Sequence, residues 1–404
     1  MAQNNQIGNR DVNQPCIVSL RNALKGGDTV YIIGKGPSLD ELTNQDFEEF
    51  PNAPVLCVNE SVHAIEKLNI KNPLFCIQYD KLKGVSNKPK RATWFLSEYS
   101  WEAQNGERDG AIRYELNKIW PNKPNLTAAT AISMAKLAGA DQAVMLGFDA
   151  AFSKNCDYAK SIGHGPKLPG KSDTRFVLFS ESGIPKRAVS ENVRLIWQSP
   201  KDFWMVCVVL KSGGNYNMKH VNAIQKQIDA HLKSPHGILL FTDVAEAKPW
   251  KKVMLSKDWP GWFSKIEMFR PDINYRGGVL FTDLDNYFGR DFILPKWDKM
   301  EVGKIYAPRD PYRNLWASGL MAWRLGSVNS PFIEFSKNPV FSREGNRVFG
   351  DQEIINEAMK GKYADLSALM SSASYKKDKP KKDSVDCVYF HGKPKPWDVG
   401  WTVL

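Results

Sequence analysis

No stretch of about 18 consecutive apolar residues occurs in this sequence, so no transmembrane helix is expected. The first residues, Met1 to Gln6, are polar and lack the apolar core of a signal peptide. Cysteine is sparse: six residues at positions 16, 57, 76, 156, 207 and 387, with no Cys-x-x-Cys pair. This argues against a zinc framework and against a disulfide scaffold. Cys57, Cys76 and Cys207 fall inside apolar, strand-like runs and are expected to be reduced core thiols, as in a cytoplasmic protein. Acidic residues are in the minority, 44 against 55 basic, for a net charge of +11. That surplus attracts polyanions such as nucleic acid, anionic lipid heads or phosphorylated glycans. It is gathered in three clusters: Lys81 to Arg91, Lys248 to Lys252, and Lys376 to Lys382, the last expected to be a mobile loop. Each cluster reads equally well as a solvated face.

The 404 residues, 42% of them hydrophobic and 25% charged, suffice for two domains with a core in each. The boundary is placed near Pro200-Lys201, giving domains 1–200 and 201–404. In the first, apolar runs at 28–33, 54–58, 74–79, 92–96 and 142–147 predict strands, and 127–137 a helix. Strands alternating with helices predict a parallel, Rossmann-like α/β sheet with ligands at the carboxyl ends of the strands. The first strand runs into Gly34-Lys35-Gly36-Pro37-Ser38-Leu39, with a helix expected to about residue 50. A glycine turn between strand and helix lets backbone N–H groups approach a phosphate, and is also how a tight turn is made. Ser38 or Asp40 is the expected N-cap.

The second domain restarts with a strand at 204–210, an amphipathic helix at 217–228 on which His220 reads as structural, and a strand at 237–242 ending at Asp243. Asp243 is either a nucleotide contact or an N-cap. The aromatic-rich stretch Pro260 to Phe269 is read as a helix beneath a sugar site or as core. Phe281 to Asp285 then forms a strand with Asp283 and Asp285 spaced i, i+2, which places both on one side of it. Two carboxylates aimed together call for a hard divalent cation, unless both are simply solvated. Near the C-terminus, Tyr389 to Trp397 carries His391, Gly392, and Lys393 and Lys395 among prolines. Imidazole tilts the choice of metal from Mg²⁺ toward Mn²⁺, and the lysines can neutralise phosphate.

These two elements together resemble the metal-dependent glycosyltransferases of the GT-A fold, especially the glycogenin-like family, which pairs Asp-x-Asp with a late His-x-x-Gly-x-x-Lys-Pro-Trp motif. Val206 to Tyr216 is similar to the family's first strand and nucleotide turn, Trp316 to Met321 to its Asn-Ser-Gly-Val-Met segment, and Gly350-Asp351-Gln352-Glu353 to its Gly-Asp-Gln-Asp motif. The resemblance spans roughly 203–404. It implies a metal held by Asp283, Asp285 and His391, and a nucleotide-sugar donor, UDP-sugar first, bound by Lys211, Gly213, Asp243, Asp283, Lys393 and Lys395. It further implies acceptor contacts from Trp316, Ser318 and Gln352, with Asp351 as the catalytic candidate unless it serves as an N-cap.

The N-terminal half has a resemblance of its own. Ile32 to Leu39, Cys57 to Asn59, Leu146 to Asp149 and Ile162 to Gly165 look like the metal-independent, Rossmann-like bacterial sialyltransferases. In that family the Gly-x-Gly-Pro-Ser-Leu turn and the asparagine hold CMP, and the Ile-Gly-His histidine is the base. This implies a nucleotide site at Gly34, Gly36, Pro37, Ser38 and Asn59, with His164 catalytic unless it is merely exposed in its loop.

The resulting expectation is a cytoplasmic, metal-dependent glycosyltransferase. Its acceptor is either hydroxymethylpyrimidine-containing DNA of the phage type, which places it in a host cytoplasm, or an oligosaccharide or lipid-linked glycan. A bifunctional enzyme with a second CMP-sugar-type site is the further alternative.

Overall fold

The computed structural model describes residues 11–78, 90–103, 110–119, 127–149, 193–244, 252–339 and 350–404. The chain divides into two compact units, Met1–Pro200 and Lys201–Leu404.

The N-terminal unit is built on strands β1 (Thr29–Ile33), β2 (Val55–Val58), β3 (Leu74–Gln78), β4 (Thr93–Ser97), β5 (Ile112–Tyr114), β6 (Gln142–Leu146) and β7 (Arg194–Gln198). Their order is β7-β6-β1-β2-β3-β4-β5, parallel throughout. Parallel strands covered on both faces need apolar residues at every position, and β1, β2 and β3 are buried end to end. Alternation divides those residues between two cores. Val30 and Ile32 pack with the helices Pro15–Leu24 and Thr127–Ala138, while Tyr31 and Ile33 pack with Leu39, Phe47 and Val62 on the other face. The small residues of Thr127–Ala138 let that helix bury almost its whole surface.

After β1 the expected helix to residue 50 is replaced by two short 3₁₀ turns, Pro37–Glu41 and Asn44–Phe47. Asp46 explains the break. Its carboxylate accepts from the Thr43 N–H at 2.8 Å and starts a new turn inside the segment. The N-cap of the first turn is Gly36, so neither Ser38 nor Asp40 takes that place.

The C-terminal unit contains β8 (Trp204–Leu210), β9 (His236–Thr242), β10 (Lys252–Met254), β11 (Tyr275–Thr282), β12 (Tyr287–Phe288), β13 (Ile305–Ala307), β14 (Leu320–Leu325), β15 (Tyr363–Asp365), β16 (Ser372–Ser374) and β17 (Cys387–Tyr389). Strands β10-β9-β8-β11 are parallel neighbours. β14 then runs antiparallel to β11 and carries β13 and β15 beyond it, and β12-β17-β16 form a small second sheet. The helix Met218–His231 begins at Asn217, where the His220 ring nitrogen accepts from the Asn217 N–H at 3.1 Å, a structural role. The lysine-rich segment near 376 is ordered by its own contacts rather than loose. Ser374 and Asp378 bracket a short helix, Lys382 lies over the Tyr287 ring, and Asp383 accepts from the Tyr287 hydroxyl at 2.5 Å.

Among the described residues, Cys16, Cys57, Cys76, Cys207 and Cys387 are buried free thiols, their ionisation opposed chiefly by burial, which pushes Cys16 up to about 12. No described helix is long and apolar enough to cross a membrane.

Candidate active site

In the C-terminal unit the carboxyl ends of β8 and β11 open on one cavity of about 440 Å³. Asp283 leaves β11 at this edge and its N–H donates to the Gly319 carbonyl at 2.8 Å. The Asn286 amide ties Thr282 Oγ1 to the same carbonyl, at 2.9 and 2.8 Å, so the Asp-x-Asp turn is pinned to the start of β14. Residue 319 must be glycine for this approach, since a Cβ there would stand 2.8 Å from Asp283 Oδ2.

Lys265 reaches the centre of the site from the 3₁₀ helix Gly261–Phe269. Its ammonium is buried 3.0 Å from Asp283 and 2.8 Å from Asp351, with the Ser318 carbonyl at 3.3 Å and the Phe281 ring below. Burial opposes its charge, yet the two carboxylates overcome this and raise its pKa. Asp351 is the first residue of the helix Asp351–Ala358, whose N-cap is Gly350. Its Oδ2 takes both Lys265 and the Ser318 hydroxyl, the latter at 2.6 Å. Asp285 is buried and accepts from the Tyr216 hydroxyl at 2.9 Å and from the Lys395 ammonium. Asp283 is held above the usual carboxylate range by burial, opposed by Lys265 and reinforced by Asp285 and Asp351.

The late motif enters from β17. His391 lines the cavity, and its Nε2 is buried without a hydrogen-bond partner. Burial lowers its pKa, which favours the neutral imidazole. Of the two lysines, Lys395 meets Asp285 while Lys393 is exposed. The ring of Trp397 packs edge-on against His220 and Tyr216, which anchors the loop.

Among the described residues no group of three His, Cys, Asp or Glu side chains is assembled as a metal cage. Carboxylate oxygen and imidazole nitrogen are nevertheless donor types that a divalent ion takes. Asp283, Asp285 and His391 all line the cavity, and the unpartnered Nε2 is a neutral nitrogen with no ligand of its own.

Several other expected site residues are placed differently from one another. Lys211 lines the cavity, and its ammonium lies 2.6 Å from Asp243 and 2.8 Å from Asp258. Asp243 also accepts from the Ser212 N–H and hydroxyl. Burial resists its ionisation, but the bonds from Lys211 and Ser212 prevail and hold it at about 2. Asp243 thus shapes the 211–215 turn and, like Gly213, is not part of the lining, whereas Gly214, Asn215 and Tyr216 are. Ser318 and Gln352 line the cavity. Trp316 does not; its ring stacks on Tyr363 at 5.3 Å beneath the Arg309 guanidinium.

Lys265 and Tyr216 received no role from the sequence. A signal for Lys265 existed: a lysine among Trp262, Phe263, Ile266 and Phe269 enters an apolar environment only where anions await it.

In the N-terminal unit, Gly34, Gly36 and Ser38 stand at the carboxyl ends of neighbouring β1 and β6, where the strand order reverses. The glycines serve close packing. A Cβ at Gly34 would overlap the Gly147 carbonyl, and one at Gly36 the Asp149 carboxylate. Asp149 itself accepts from the Ser38 N–H at 3.1 Å and the Ser38 hydroxyl at 2.7 Å, so a carboxylate of the chain occupies the donors a phosphate would use. Asn59 follows β2 in the left-handed region, at φ 54, with its Oδ1 buried and unpartnered. The buried Gln78 amide at the end of β3 is likewise unpartnered at both side-chain atoms. His164 lies outside the described residues.

Asp149 has a consequence for stability. Burial raises its pKa to about 6, against the hydrogen bonds from Ser38. The folded state therefore prefers the protonated acid, and this contribution is complete below pH 4 and is lost as pH rises through 6. Asp149→Asn is expected to remove the slope, gaining on the parent chain by about 1.4 kcal/mol per pH unit across that window. Urea unfolding of both chains from pH 4 to 7 checks it, and identical slopes would refute it.

No protein-family model matches the chain, and no curated protein does. Among solved structures it is similar to the glycosyltransferase GlyE of Streptococcus pneumoniae TIGR4, in two crystal structures, one of them the apo form. Identity is 14% in each case, with TM-scores of 0.35 and 0.34. The likeness covers 48% of this chain and 56% and 55% of GlyE, so the chain spans little more than half of GlyE's length.

Proposed function

We propose that the chain is a nucleotide-sugar-dependent glycosyltransferase working in the C-terminal cavity, with a UDP-sugar as first choice of donor and Mn²⁺ (or Mg²⁺) as cofactor. The observation that carries this reading is the convergence of Asp283, Asp285 and His391 on one cavity beside Lys211, Lys265 and Lys395. Asp283, Asp285 and His391 would hold the ion together with diphosphate oxygens. A divalent cation there supplies positive charge against the leaving nucleotide diphosphate. Lys395 is placed to exchange Asp285 for a phosphate oxygen, and Lys211 to meet the nucleotide side. Lys265 holds the Asp283 and Asp351 carboxylates in place, at 3.0 and 2.8 Å. Asp351 Oδ2 is committed to Lys265 and Ser318, which leaves Oδ1 for a hydroxyl of the bound sugar. Glu353 is held by Arg313 and the Gly350 N–H. Retention of configuration, which needs no strong general base, is the favoured outcome.

The test is release of nucleotide from a panel of UDP-, GDP- and CMP-sugars, with Mn²⁺ and with EDTA. Metal-dependent release of UDP is expected. Release of CMP that ignores EDTA would overturn the reading and move the chemistry to the N-terminal unit.

A second reading rests on Asn59 and Gln78. Buried amide atoms without partners at a parallel sheet's carboxyl edge suit the polar edge of a nucleobase or an acceptor. On it the N-terminal unit is a binding module. Titration with CMP should give saturable heat that Asn59→Ala abolishes; no heat with the parent chain would dismiss CMP as its ligand.

A further inference from the structure

We propose that the rim of the C-terminal cavity, through Trp262 and Tyr312, is an acceptor subsite for an uncharged pyranose ring. The proposal rests on the glycosyltransferase reading of that cavity and names its acceptor class.

Two large aromatic side chains stand in water there, Trp262 at 62% exposure and Tyr312 at 59%. Single exposed apolar residues are ordinary. These two share a location. Trp262 lines the cavity, and Tyr312 sets its ring edge-on to His391, which also lines it, at 5.9 Å. Gly350, Glu353 and Arg313 lie on the stretch of rim between their two segments. The Trp262 indole nitrogen stands beside Gly350, 3.7 Å from where a Cβ would be, and the Gly350 N–H donates to Glu353, which pairs with Arg313 next to Tyr312.

The loop that carries Tyr312 is fixed before any ligand arrives. Asp310 accepts from the Tyr312 N–H at 2.8 Å and from the Gln352 amide at 2.6 Å, and Asn356 accepts from the Trp316 N–H at 2.9 Å. Trp262 is anchored by its neighbours Phe263 and Ile266, which are buried. A rigid aromatic face loses little entropy when it meets a flat partner. The C–H face of a pyranose, carrying slight positive charge, complements the negative face of an indole or phenol ring. Its hydroxyls then fall toward Gln352 and Asp351 in the lining.

Among the described residues the lysines that line the cavity are paired within the chain, so the aromatic rim rather than a row of free cations is what the cavity offers an acceptor. Here Arg313 pairs with Glu353, Lys211 with Asp243 and Asp258, Lys395 with Asp285, and Lys265 with Asp283 and Asp351. Those cations are already balanced.

The experiment is saturation-transfer NMR on the full chain, without donor or metal, using methyl glucoside, methyl galactoside, maltose and lactose, with a short duplex containing 5-hydroxymethylcytosine run in parallel. Transfer to the ring C–H protons of at least one neutral sugar is expected, weakened about ten-fold by Trp262→Ala and kept by Trp262→Phe. Tyr312→Ala serves as an independent variant should Trp262→Ala not fold. The proposal is overturned if no neutral sugar binds, if binding survives both alanine variants, or if the duplex binds instead and loses affinity in them. Because no donor is present, a failure of nucleotide release would count against the glycosyltransferase reading and leave this result standing.

Discussion

Lys265→Met is expected to destabilise the C-terminal unit by about 3–5 kcal/mol and to abolish nucleotide release. The ammonium is buried between Asp283 and Asp351, 3.0 and 2.8 Å from those carboxylates. Removal of one partner of a buried ion pair costs far more than the pair itself contributes, because the remaining charge is left unmatched. Here two charges are left, and Asp285 adds a third nearby. The loss should depend on pH with a definite sign. Asp283 already has a raised pKa, and losing its principal cation raises it further. A raised carboxyl favours the folded state below its pKa and ceases to do so as pH rises through it. The deficit of Lys265→Met should therefore be greatest near pH 8 and shrink toward pH 5. Urea unfolding across that range measures it. A deficit that stays below about 1 kcal/mol throughout, within the range of a solvated surface pair, would show that Lys265 does not act as the site's central cation.

Asp285→Asn should do the opposite to stability and as much harm to activity. Asparagine keeps the size of the side chain and an acceptor for the Tyr216 hydroxyl, while Lys395 can turn toward solvent. It also relieves repulsion with Asp283. The melting temperature should hold or rise, as expected where a functional site stores unfavourable electrostatics. Metal-dependent nucleotide release should fall about a hundred- to thousand-fold, the usual loss when a preorganised charge at the reacting centre is removed. Undiminished release by Asp285→Asn would place the chemistry elsewhere. The contrast between the two variants is informative: one group holds the site together and the other holds it in readiness.

Much of the architecture could be read directly. Apolar runs of five to seven residues such as Thr29–Ile33 and Trp204–Leu210 are strands because only a parallel sheet, covered on both faces, buries every position. The i, i+2 spacing of Asp283 and Asp285 announced a shared direction, and both line the cavity. The helix expected after Gly36 does not form because Asp46 closes a local turn that apolar periodicity does not register. The order of the segment near Lys376 escapes a compositional reading because it combines the local Ser374–Asp378 bond with contacts of Lys382 and Asp383 to Tyr287, far away in the chain.

By itself the sequence determined the apolar parallel strands, the helices Thr127–Ala138 and Met218–His231, and that two carboxylates and a late histidine are available. The tertiary structure decided who meets whom. Lys395 rather than Lys393 reaches Asp285 across 110 residues, Lys265 joins Asp283 to Asp351, and Asp149 fills the turn at Ser38 across 111 residues. The physical reason is that side-chain periodicity reports the orientation of an element within its own segment, whereas ion pairs and cavities are made where strand order brings the ends of distant elements to a common edge.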